Sequence, residues 1–74
     1  MENYNKCINI LIDKINLDSS VKNNLIAQYI LDDLSSKNNC SSEFDYLLLY
    51  FNILELDIHK LYDINYINNT LFIT

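Results

Sequence analysis

His59 is the one histidine of the chain, and it stands four residues after Glu55 and four before Asp63. On a helix that spacing lines an imidazole up with two carboxylates, an arrangement suited to a general base or a metal ligand. A solvated polar helix face has the same spacing, and the surroundings favour that simpler reading. One His with the widely separated Cys7 and Cys40 does not match zinc-ligand spacing. Ser19-Ser20-Val21-Lys22 contains an S-x-x-K, but that nucleophile motif works only with partner residues on a large scaffold. Here it reads as a helix cap followed by a surface lysine. Cys40 has only Lys37 as a nearby cation, too little to hold a thiolate. We therefore expect no catalytic set, no metal site and no cofactor.

Composition narrows the field further. The chain has 74 residues, half of them apolar, enough for one small domain spanning residues 1–74 with a dense core. It contains no Gly, Pro, Trp or Arg. Without Gly there is no Gly-rich phosphate loop, and without Arg there is no guanidinium fork for phosphate or guanine. The net charge of −5 repels nucleic acid and anionic membranes. Asn, Ile, Lys, Tyr and Phe make up half the chain, a bias of AT-rich codons that suggests a low-GC bacterium, a mobile element or phage, or an AT-rich virus. No basic start followed by an apolar run marks a signal peptide, and no apolar run approaches the ~20 residues of a spanning helix. A cytoplasmic protein with two reduced thiols is expected.

The elements follow from apolar spacing. Tyr4, Cys7, Ile8, Leu11, Ile12 and Ile15 make a one-faced stripe over a first helix from Asn3 to Asn16. A second helix should start at Asp18 or Ser19 and end near Ser36, with Val21, Leu25, Ile26, Tyr29, Ile30 and Leu34 inward. Ser35 to Ser42 is the loop, short enough to make the second and third helices antiparallel neighbours, with Asn38 or Asn39 in the left-handed conformation.

The stretch from Ser42 to Ile64 reads as one long third helix about which the rest is organised, capped by Ser41 or Ser42. Phe44, Leu47, Phe51, Leu54, Ile58 and Leu61 repeat at 3, 4, 3, 4 and 3, and are assigned to the core. Tyr46, Leu49, Tyr50, Ile53 and Leu56 form a second stripe, which a three-helix domain cannot also cover. That stripe is the expected partner-binding surface, together with Asp32 and Asp33. Asn68-Asn69 between β-branched and aromatic residues suggests a hairpin pairing Asn65–Ile67 with Thr70–Ile73. The alternatives are an extended tail or a third helix continued to Ile67.

The expected fold is thus mostly α: three helices, the third longest, and a short C-terminal hairpin or tail. The expected function is a small acidic protein-binding module, an inhibitor or antidote from a mobile element or virus. Its target would be a larger protein, with a nucleic-acid-handling defence enzyme as the candidate. Carboxylates such as Asp32 and Asp33 would there imitate phosphate spacing. Two other readings compete. Three helices and a hairpin are the element order of a winged-helix DNA-binding protein, but the third helix and hairpin lack the cations for it. The surplus apolar stripe would equally serve a homodimer or a self-associating structural protein.

Overall fold

The computed structural model describes residues 1–18 and 20–72. It holds five helices and no strand among those residues: α1 (Glu2–Ile15), α2 (Ser20–Lys37), α3 (Glu43–Glu55), α4 (Ile58–Leu61) and α5 (Ile64–Leu71). The radius of gyration is 11.9 Å, close to the ~11 Å of a fully compact chain of this length.

The centre of the fold is α1. It packs against α2, α3 and α4, while α5 packs on α2. Its stripe behaves as its spacing requires, with Cys7, Ile8, Leu11 and Ile15 buried and Tyr4 and Ile12 at the core margin. α2 and α3 do not pack closely as the expected neighbours; each packs mainly on α1. Val21, Leu25 and Tyr29 of α2 are correspondingly exposed, and Asn23, Ile26, Ala27, Ile30, Leu31 and Leu34 face inward.

α1 and α3 run parallel, which the tie points establish. At their starts the Glu43 carboxylate accepts from the Asn3 backbone N–H at 2.9 Å and pairs with the Met1 amine at 3.2 Å. The Tyr4 and Tyr46 rings then meet edge to face at 5.5 Å. At their ends the Lys14 ammonium donates to the carbonyls of Leu54 and Leu56, at 3.3 and 2.7 Å. Parallel helix dipoles repel, so the placement of these charges matters: a carboxylate serves both positive ends and an ammonium the negative end. α3 has no basic residue in its own last turn, so Lys14 supplies one from outside. His59 completes the corner, its Nε2–H donating to the Lys14 carbonyl at 2.9 Å. Lys14→Met should therefore cost about 1 kcal/mol or slightly more, read as a lower urea midpoint with an unchanged slope. An unchanged midpoint would mean that solvent caps α3 equally well.

The helix boundaries have local causes. Asn16 and Asn39 take the left-handed conformation, with φ of 51° and 55°, where a Gly-bearing chain would use glycine. Ser42 caps α3 in a reciprocal box, its hydroxyl accepting from the Asp45 N–H while the Asp45 carboxylate accepts from the Ser42 N–H. The expected start of α2 at Asp18 or Ser19 falls partly on Ser19, which lies outside the described residues. α2 continues to Lys37, so the loop is shorter than Ser35 to Ser42.

The long third helix is corrected to two shorter ones, α3 and α4, with α5 starting only at Ile64. Leu56 and Asp57 are extended, as are Tyr62 and Asp63. Each break places Asp before Ile, and Asp favours caps over helix interiors. Packing supplies the driving force. Continued straight, the helix would carry Ile58 onto the outward arc beside Phe51. The break turns it inward, where it is 1% exposed.

The C-terminal hairpin is also corrected. Asp63 caps α5 by accepting from the Tyr66 N–H at 3.0 Å. Ile64 and Ile67 then bury at helical spacing, so packing against α2 overrides the β preference of Ile, Tyr and Thr. The Lys22 ammonium stands 5.2 Å from the centre of the Phe72 ring. The expected second hairpin arm reaches Ile73, which with Thr74 lies outside the described residues.

Candidate functional site

At about 100° per residue, the two apolar stripes of α3 lie on opposite sides of the helix. The structure reverses the burial expected of them. Leu49 and Ile53, expected at the partner surface, are 2% and 0% exposed. Tyr46, Tyr50 and Leu56 are half-buried against the same core. The Tyr46 carbonyl accepts from the Cys7 thiol at 3.4 Å, and the Tyr50 ring meets Phe51 edge to face at 5.7 Å.

Phe44 and Phe51, assigned to the core, are 65% and 56% exposed. Leu48 and Leu54 are exposed beside them, and Leu47 is half-buried at the edge. The outward arc of α3 is therefore almost wholly apolar, interrupted by Glu55 and Asn52. The physical reason is the partner of α3. A helix carrying apolar residues nearly all round can bury either side, and α1 and the capping charges select the side bearing Leu49 and Ile53. One signal in the sequence could have found this. Glu55 falls inside the outward arc, between Phe44 and Leu48, whereas Tyr46, Leu49, Tyr50 and Ile53 enclose no charge.

Asp32 and Asp33, the acidic part of the expected site, part ways. Asp32 is exposed. Asp33 accepts from the Tyr62 hydroxyl and pairs with Lys37 at 3.0 Å. Those two contacts hold its carboxyl below the usual carboxylate range, and burial and the Asp33 charge push Tyr62 up. The cluster ties α2 to the joint between α4 and α5. It borders a cleft of about 560 Å³ between α2 and α3, lined by Leu34, Lys37, Leu49, Glu55, Leu56 and Tyr62 among others. Glu43, Asp45 and Asp63 are likewise engaged within the chain, so these carboxylates and Asp33 help hold the fold together.

The residues that could do chemistry stay apart. His59 is exposed and bonded to the Lys14 carbonyl rather than joined to Glu55 or Asp63. Among the described residues no group of three His, Cys, Asp or Glu side chains is placed to hold a metal ion. Both thiols are free. Burial pushes Cys7 up to about 11, and burial with the Asp45 charge raises Cys40, so both stay protonated near neutrality. No helix among the described residues is long and apolar enough to cross a membrane. Comparison with protein-family models, curated proteins and solved structures finds no match.

Proposed function

We propose that this chain is a small acidic protein-binding module that works by docking the outer face of α3 onto a larger protein. The observation carrying this reading is Phe44, Leu48, Phe51 and Leu54 exposed together on one helix face. Isolated exposed apolar residues are ordinary, but a contiguous face of two Phe and two Leu marks a contact surface in a soluble protein. The exposed stripe of α2 supports it less, because the polar Asn24 and Gln28 are interspersed with Val21, Leu25 and Tyr29. An inhibitor or antidote role fits a short acidic chain in which some carboxylates, Glu43, Asp45 and Asp63 among them, are engaged at its own helix ends. Blocking a nucleic-acid-handling enzyme through carboxylate mimicry is less favoured, since Asp33, Glu43 and Asp45 already have partners in the chain.

The test is affinity capture from the native host with the tagged wild type and with the double variant Phe51→Asp, Leu54→Asp. The variant should keep its helicity and lose one abundant captured protein. Capture of the same proteins by both would sink the reading. A mobility shift of duplex DNA at ~150 mM salt would favour the DNA-binding alternative instead.

A further inference from the structure

The geometry points to the class of partner: we propose that the outer face of α3 receives an α-helix of another protein whose flanking positions are basic. This inference rests on the reading of that face as a docking surface. Its first support is spacing. Phe44, Leu47, Phe51 and Leu54 follow at 3, 4 and 3, the two-residue seam of a coiled coil. Such a seam runs straight along the helix and accepts knobs from a second helix crossing at about 20°. A strand, with its period of two, cannot fill it in register. The fold itself leaves this repeat largely unused, since Phe44, Phe51 and Leu54 all face solvent.

The second support is charge. With Phe44 and Phe51 at a, and Leu47 and Leu54 at d, the flanking e and g positions are Glu43, Leu48, Tyr50 and Glu55. Charges at e and g select the partner of a coiled coil. Here they are carboxylates only, and α3 contains no cation at all. Glu43 is held by the Met1 amine, while Glu55 is exposed and makes no ion pair among the described residues. The bordering elements do not reverse the sign. Lys37 of α2 is paired to Asp33, Lys6 of α1 shares its groove with Asp13, and Lys14 is spent on the Leu54 and Leu56 carbonyls. A second copy would set carboxylates against carboxylates and bring its own charge of −5. A helix with Lys or Arg at e and g meets the same rim with attraction.

The full chain can be titrated with two labelled synthetic helices, each with Ile and Leu at a and d. One carries Lys at e and g, the other Glu. The Lys peptide should bind at least about tenfold more tightly, with the preference shrinking as salt rises from ~50 to ~300 mM. Phe51→Asp should abolish its binding without changing helicity, and Glu55→Lys should erode the preference. Equal affinity for both peptides would overturn the inference, as would Lys-peptide binding that survives Phe51→Asp and so follows net charge alone. Sedimentation of the wild type as a dimer that Phe51→Asp disperses would also overturn it. In that case the face would remain an interface, with a second copy as its occupant. Failure of both peptides, while Phe51→Asp with Leu54→Asp still eliminates a captured protein, would reject a helical partner and leave the docking face standing.

Discussion

Ile53→Ala should lower stability by about 2–5 kcal/mol, while Phe51→Ala, two residues away, should cost under about 1 kcal/mol. Ile53 is fully buried in the core cluster. Its truncation removes buried carbon and leaves a cavity walled by rigid helices. Phe51 loses mainly an edge contact with Tyr50 and surface that water already reaches. A domain of this size has only about 4–11 kcal/mol in total, so Ile53→Ala would leave a large unfolded fraction on warming. Urea denaturation of the two variants decides the matter. Equal costs, or a larger cost at Phe51, would mean that α3 is seated with its other face inward.

Stability should fall as the pH drops below about 4, after little change between pH 7 and 5. The carboxyls of Asp33, Glu43 and Asp45 all lie below their ordinary range, held there by Tyr62 and Lys37, by the Asn3 N–H, and by Ser41 and Ser42. Each binds its proton more weakly in the folded chain than in the unfolded one. Between the two values the unfolded state holds more protons, so a falling pH favours unfolding there. Their stabilisation is complete above the unfolded carboxylate range and is lost as pH drops through the folded values. Relief of charge repulsion acts the other way as the chain approaches its isoelectric point near 4.4, but exposed charges are screened beyond ~8 Å at physiological salt. The losses at the helix ends should therefore win. Melting temperatures across this range test it, and Asp33→Asn should flatten part of the slope. A melting temperature that climbs steadily down to pH 3 would contradict the assignment.

Helical content, the α1 stripe, the cap at Ser42 and the left-handed Asn39 were legible in the sequence, because each depends on residues within one or two turns. The stretch from Asn65 to Thr70 was not. Its β-branched and aromatic residues suit a strand, and only contact with α2 decides that Ile64 and Ile67 bury at helical spacing. The seating of α3 was only faintly legible, through Glu55 in its outward arc, for a related reason. Both of its faces are apolar, so the choice between them depends on α1, whose contacts with α3 lie far away in sequence. The breaks at Asp57 and Asp63 carried a faint local signal, the repeated Asp-Ile, that the apolar repeat across residues 44–61 outweighed. The exposed residues Phe44, Phe51 and Leu54 were singled out by that repeat but assigned to the core.

The parallel pairing of α1 with α3 also shapes how the chain reaches its native state. The hydrogen bonds joining the two helices connect residues 39 to 42 positions apart, more than half the chain. An up-and-down bundle of equal length would rely on nearer neighbours. Closing so wide a loop comes before any reward from the contacts it brings together, which slows folding relative to a bundle of local contacts. During synthesis α1 and α2 emerge first and can pair as a hairpin. That hairpin must keep one apolar side of α1 uncovered until α3 is made. The nascent chain thus spends its most aggregation-prone interval with its central helix half dressed.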